Sequence, residues 1–380
     1  MKNIIYADNA ATAKLNKKAY EAMQCYLVEE YGNPSQAYSL SRSSKYALKY
    51  ARETIAKCIN AEPDEIYFTS GGTESDNWAI KGTALAFDRK KAVIASVIEH
   101  HAVLRSCEFI ERIGYPVVYL GVTQEGIIKP EKLESVITDN TGLVSIMYAN
   151  NEIGTIEPIK ELVGISHKHG ALFHTDAVQA IGHLAIDVKE LGVDLLSASA
   201  HKFGGPKGIG FLYIKNGTDI VSYLNGGSQE HGLRAGTENV ASIVGMSVAL
   251  EESVTNISVG TSITELEKEF FNLLTVNGLE EGREYIRNGK KDAHLPGFIN
   301  ISFKDKDGEA IMHRLDLKGI MISTGAACDS VNTQVSHVIK AINVPSAFEK
   351  GTIRISLSKY NTIQDVKEIA QCLCSIIKKS

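Results

Sequence analysis

The chain has 380 residues, 44% hydrophobic and 22% charged. This is the profile of a soluble globular protein and excludes disorder as the main state. Forty lysines and arginines against 45 aspartates and glutamates give a net charge of −5, and no basic tail stands out, so direct nucleic-acid binding is not expected. At about 150 residues per domain the length predicts two or three domains.

Six cysteines are scattered without a CxxC pair, which predicts reduced thiols and a cytoplasmic setting. The opening Met1–Tyr6 lacks the apolar core of a signal peptide. No apolar run is long enough for a membrane helix, so membrane insertion is not expected.

In chain order, Lys45–Ile59 repeats apolar residues at helical spacing and predicts a helix. Glu65–Thr69 then begins a series of short, β-branched runs that predict strands: Ala92–Val97, Val117–Leu120, Leu143–Ala149, Leu172–Thr175, Leu195–Ser199 and Gly210–Ile214. Helical patterns at Ser75–Phe87 and Ile159–His169 fall between them. The alternation predicts an α/β fold with a mainly parallel, seven-stranded sheet, whose ligands bind at the carboxyl ends of the strands. Helices are predicted at Asn239–Ser253 and Thr264–Leu274, separated by the small, polar run Val254–Thr261. Strand-like segments at Phe298–Phe303, Met321–Thr324 and Thr352–Leu357 and a helix at Thr362–Lys378 complete a smaller α+β part. The expected division is a large domain over 15–255 and a small domain formed by 1–14 with 256–380.

No glycine-rich dinucleotide or P-loop motif is present. Three strand ends carry chemistry instead. Thr69-Ser-Gly-Gly-Thr-Glu-Ser75 joins a strand to a helix, and its free N–H groups suit a phosphate. Alone it also reads as an ordinary helix start capped by Thr73 or Ser75. Asp176 ends an apolar strand, either as a buried acid needing a cationic partner or as the cap of a helix starting at Ala177. Lys202 follows a strand inside the crowded loop Ser197–Gly208, which suits a Schiff-base lysine. An anion cup, a buried acid and such a lysine together form the set that pyridoxal 5′-phosphate requires.

With these motifs in place the chain resembles the NifS/IscS-type cysteine desulfurases, class-V aminotransferase relatives with the fold-type I architecture. The resemblance rests on Tyr6-Ala-Asp-Asn-Ala-Ala-Thr12, Gly32-Asn-Pro-Ser35, Phe68–Asn77, Glu99-His100, Asn150–Gly154, His174–Gln179, His201-Lys202, Gly205–Gly210, Arg234–Asn239, Ala327-Cys328 and Ile353–Ser356, in that order. It implies Lys202 as the Schiff-base lysine, Asp176 as the ring-nitrogen partner and His100 as the histidine stacked on the ring. It implies Gly72, Thr73, Ser199 and His201 on the phosphate side and Gln179 at the ring oxygen. Asn151, Arg354 and Asn33 are implied on the substrate side, and Arg354 suits a carboxylate. Thr237 is implied to reach the phosphate of a neighbouring subunit, hence a homodimer. Cys328 is the implied catalytic cysteine, on a loop that visits both cofactor and partner.

The implied reaction takes L-cysteine to L-alanine and a Cys328 persulfide, passed to a protein sulfur acceptor such as an iron–sulfur scaffold or a thiolation enzyme. Alternatives that keep the cofactor are a selenocysteine lyase, another lyase or an aminotransferase. A further alternative is a non-catalytic sulfur-pathway subunit. The sequence departs from the family pattern at Tyr38, Ala200, Ser228, His231, Ala326 and Asp329. A carboxylate at Asp329 is expected to disfavour the thiolate of Cys328. Metal ligands are not expected: Cys372 and Cys374, two apart on a helix, face opposite sides.

Overall fold

A computed structural model describes residues 4–324 and 335–379. The described chain opens with β1 (Ile5–Tyr6), α1 (Lys17–Val28) and α2 (Ser41–Cys58). The Asn16 side chain starts α1 by accepting the N–H groups of Lys18 and Ala19. β2 (Ile66–Thr69) leads into α3 (Gly72–Ala86), and β3 (Ala92–Ser96) leads into α4 (His101–Arg112). Then come β4 (Val117–Leu120), β5 (Thr141–Ser145), β6 (Leu172–Asp176), β7 (Leu195–Ser199) and β8 (Gly210–Ile214).

These last seven strands form one sheet, in the order β2-β8-β7-β6-β5-β3-β4. Every run predicted for the sheet contributes a strand to it. Strands β7, β6, β5, β3 and β4 run parallel, while β8 is antiparallel to both its neighbours. Helices cover both faces, so the strands are apolar throughout rather than alternating. Val93, Leu143 and Leu195 pack with Trp78 and Ile80 of α3 and Val103 of α4. Their chain neighbours Ile94, Val144 and Leu196 point the other way, into a core shared with Ile55 of α2, Leu162 and Leu250.

A second core gathers Ile5, Phe270, Ile301, Phe303, Ile353 and Leu373. It is built on the antiparallel sheet of β9 (Tyr285–Arg287), β10 (Phe298–Phe303) and β12 (Thr352–Ser356), with β10 central. Strand β11 (Ile320–Met321) pairs in parallel with β1. Helices Gly260–Val276 and Ile363–Lys379 supply its cover. Cys374 is buried here and Cys372, expected on the opposite side of the helix, packs partly buried against the same core, both as small hydrophobic side chains.

Two local expectations are corrected. The run Val254–Thr261, read as a separation between two helices, is itself largely helical. One helix continues to Thr255, a 3-10 turn spans Ile257–Val259, and the next helix starts at Gly260. Short polar side chains in this run and just after it bond the helix backbone: Asn256 donates to the Glu252 carbonyl, Ser262 to that of Val259 and Thr264 to that of Gly260. No helix starts at Ala177 either. The chain turns there, and Asp176 accepts the Val178 N–H at 2.9 Å, an Asx turn instead of a helix cap.

Candidate active site

A cavity of about 570 Å³ opens at the carboxyl ends of β6 and β7 and at the start of α3. Ten residues predicted for the site line it. Gly72, Thr73, Ser199 and His201 stand at one end. His100, Asp176, Gln179 and Lys202 line its middle, and Asn151 and Arg354 the side toward the second core.

The first end is shaped for an anion. Gly71 holds a φ of +146°, in the region that favours glycine. A Cβ on Gly72 would stand 2.6 Å from a methyl of Val178. No side chain caps α3, so neither Thr73 nor Ser75 is its cap. Ser75 instead bonds Thr69 Oγ1 at 2.8 Å and the Phe211 carbonyl at 3.1 Å, which leaves the helix start and its dipole to a ligand. Glu74 is kept from opposing an anion by Arg234, whose Nε and Nη2 reach its carboxylate at 2.8 and 3.1 Å.

In the middle, Asp176 is 5% exposed. Burial raises its pKa to about 6, against the Val178 N–H and the nearby Lys202 charge, which favour the ionised form. His100 caps α4 by accepting the Ala102 N–H at Nδ1, 3.1 Å away, so the hydrogen of the neutral ring sits on Nε2. Burial, Lys202 and His101 hold its pKa down at about 4. His201 is lowered to about 4 by the same causes of burial and lysine charge, here Lys202 and Lys207, and its Nδ1 lies 3.2 Å from Thr12 Oγ1. Both rings are neutral at neutral pH. Lys202 Nζ donates to the carbonyls of Ala10 and Ala11 at 2.6 and 3.0 Å, and Gln179 donates to Ala10 at 3.0 Å. The segment after β1 therefore holds both side chains at the cavity wall.

On the substrate side, Arg354 in β12 is 3% exposed. It donates to the Asn151 carbonyl and to Asp8 Oδ1, each at 2.8 Å. Its Nε has no partner and is buried, which leaves a donor for a carboxylate. Asn150 shapes the turn that presents Asn151 by accepting the N–H groups of Glu152 and Ile153.

Two predicted residues among those described do not line the cavity. Asn33 turns its own loop by accepting the Ser35 N–H. Thr237 is exposed. Cys328 lies outside the described residues, as do Ala326 and Asp329. Among the other departures, Tyr38 is exposed. His231 is exposed at a φ of +57°, its ring set edge-on to Tyr67. Two site residues were not singled out from sequence. Asp8, the partner of Arg354, is far away in the chain and leaves no local signal. Asp76 does leave one: it is a charged residue on the α3 face that buries Gly72, Ser75, Ala79 and Ile80.

The donor set fits pyridoxal phosphate. There is an uncapped helix start cleared by glycines for the phosphate, a buried acid for the ring nitrogen, a histidine with its hydrogen facing outward, and a lysine for the aldehyde.

Comparison with known proteins agrees. The family model for aminotransferase class-V matches residues 5–369. The cysteine desulfurase IscS of Dictyoglomus turgidum is 48% identical, over 100% of this chain and 96% of that protein. The IscS of Methanosarcina thermophila is 46% identical, over 99% and 92%. A solved NifS-like protein superposes with a TM-score of 0.93 at 36% identity and full coverage of both chains. A structure of SspA in complex with cysteine gives a TM-score of 0.82 at 36% identity, over 95% of this chain and 100% of that one. From its motifs, its cavity and these relatives, the chain belongs to the pyridoxal-phosphate-dependent cysteine desulfurases of the class-V aminotransferase family.

Proposed function

We propose that this protein converts L-cysteine to L-alanine and keeps the sulfur as a persulfide on Cys328 for a protein acceptor. The observation that carries the reading is the convergence of Lys202, Asp176, His100 and Arg354 on one cavity. The described residues on both sides of the Cys328 segment are tied near its wall. Ser323 exchanges backbone hydrogen bonds with Arg354 at 3.0 and 2.7 Å. His337 Nε2 bonds the Glu99 carbonyl at 3.0 Å, and its ring packs on His101.

When bound, pyridoxal phosphate supplies an aldehyde for the amino group and a ring that accepts electrons. Asp176 holds the proton on the ring nitrogen. Arg354, oriented by Asp8 and the Asn151 carbonyl, binds the substrate carboxylate. Lys202 moves the proton at the substrate Cα, and His100 offers an Nε2 hydrogen without adding charge. Across the turnover, the thiol of L-cysteine and that of Cys328 become alanine and one persulfide: the Cβ–S bond breaks and an S–S bond forms.

The test is an assay of alanine and sulfide from L-cysteine with a thiol reductant. Equal yields, lost in Cys328→Ala while the variant keeps the visible absorption of its cofactor, are expected. Undiminished alanine from the variant would overturn transfer through a persulfide and favour a lyase.

The acceptor is an iron–sulfur scaffold or a thiolation enzyme. Five described cysteines are free thiols, which supports a cytoplasmic setting. No helix among the described residues is long and apolar enough to cross a membrane.

A homodimer is part of the proposal. Tyr20, Leu27, Val28, Tyr31, Tyr46 and Tyr50 are all exposed on α1, α2 and the segment between them, large apolar side chains of the kind that a subunit interface covers. Thr237 is exposed and absent from its own cavity, as a residue serving a second copy would be. Sedimentation equilibrium should return twice the mass of the chain, and a monomer at micromolar concentration would refute the arrangement.

A further inference from the structure

Asp76 is a buried acid that the reading above does not use. It lies one turn into α3, 1% exposed, and its Oδ1 is buried without a hydrogen-bond partner. Ligand atoms of Asp76, Asp176 and His100 all lie within 4.8 Å of one another. That spacing would suit a metal ion, but the Nδ1 lone pair of His100 is committed to the Ala102 N–H, and its Nε2 bears the hydrogen. The cluster is better read as two carboxyl groups beside a neutral ring.

The groups facing Asp76 offer little to balance a second charge. From β6 come Asp176 and His174. His174 Nε2 is 3.7 Å from Asp76 Oδ1, but the ring is fully buried between Ser145 and Ser197, at 2.8 and 2.9 Å, and burial lowers its pKa to about 3. Ser197 on β7 also hydrogen-bonds Asp76, and the buried Glu99 adds like charge. Among the described residues the one nearby cation, Lys202, lies with Asp176 rather than Asp76, and its field acts on the Asp176 carboxyl. Two unit charges this close repel strongly in a site closed to water. Burial and the Asp176 charge accordingly push the Asp76 pKa far up.

We propose that Asp76 is a positioning residue that stays protonated in the working protein, so that Asp176 alone carries the negative charge facing the cofactor ring nitrogen. The ring end then holds one anion matched to one ring proton. Asp76 serves as a neutral hydrogen-bonding wall behind it. This rests on the cofactor site described above, but its test does not depend on turnover.

An acid whose pKa is raised by folding binds a proton that the unfolded chain has released, so stability falls as pH rises toward the folded pKa. Unloaded wild-type protein and Asp76→Asn are unfolded in urea between about pH 6 and pH 8. The unfolding constant of the variant should rise about tenfold less per pH unit, the effect of one proton. Infrared difference spectra at neutral pH should show a protonated-carboxyl carbonyl band lost in Asp76→Asn and kept in Asp176→Asn, on loaded as well as unloaded protein. Equal pH slopes with no carboxylic-acid band lost would overturn the proposal, as would a band lost only in Asp176→Asn. Because burial also pushes up Glu99 and Glu157, the band is assigned to Asp76 by its loss, and Asp76→Ser serves for this if Asp76→Asn does not fold. Failure of both proteins to bind the cofactor would instead overturn the cofactor site and leave the proton assignment standing.

Discussion

Lys202→Ala is expected to lower alanine formation from L-cysteine by about 10²–10⁴-fold, the range for loss of a positioned acid–base group. Lys202 Nζ sits at the cavity wall on the Ala10 and Ala11 carbonyls, and among the described residues the one other lysine lining the cavity is Lys207. The other candidate bases are poor substitutes. His100 and His201 are neutral, but burial and the lysine charges hold both near 4, too weak to take a carbon-bound proton efficiently. Asp176 is, in the proposed arrangement, taken up by the ring nitrogen. The variant should still bind the cofactor through its phosphate end, because Gly71, Gly72 and the start of α3 are untouched. Loss of turnover with the cofactor retained is therefore the signature, read from cofactor content and alanine yield on one sample. A small primary amine added to the buffer should restore part of the rate by replacing the missing base. Turnover within tenfold of wild type would remove Lys202 from its role.

The strands were legible because a sheet buried on both faces needs continuous apolar runs, and runs such as Val93–Ala95 and Phe211–Ile214 have no other use. The middle of the cavity was legible for a different reason. Asp176, Lys202 and the Gly71-Gly72 turn each follow a strand directly, and strand ends converge in this kind of fold. What local pattern could not show were pairings between distant segments. Asp8 meets Arg354 only because β1 and β12 join the same second core, bridged at Asp8 and Ser356. The helical joint at 254–260 hid behind residues of modest helix preference, whose side chains bond the backbone once neighbouring helices hold it in place. Asp76 was legible as an acid on a buried helix face, but its meaning depends on Asp176, a hundred residues on, lying beside it.

The same logic of long-range pairing makes Arg52 the residue outside the cavity whose loss should cost most stability. Arg52 on α2 forms a two-pronged pair with Glu230, its Nη1 and Nη2 at 3.0 and 2.6 Å from the two carboxylate oxygens. It also donates to the Ile66 carbonyl and stacks over the Phe68 ring, 4.3 Å from its centroid. The Glu230 side chain is 3% exposed and accepts the Phe68 N–H at 2.8 Å. The pair thus binds β2 to the segment that carries Arg234, and β2 delivers the Gly71-Gly72 turn. Arg52→Ala removes the only cation given to this carboxylate among the described residues and leaves a buried, unpaired charge, a loss of about 3–5 kcal/mol. Arg52→Ala combined with Glu230→Ala should be less destabilised than the two single losses added together, because the orphaned charge is gone. Urea unfolding of the three variants measures both quantities. The single variant should also bind pyridoxal phosphate more weakly, since β2 and the Arg234 segment meet at the phosphate end. A loss below about 1 kcal/mol would place the pair with surface ion pairs and deny it any part in holding the anion cup.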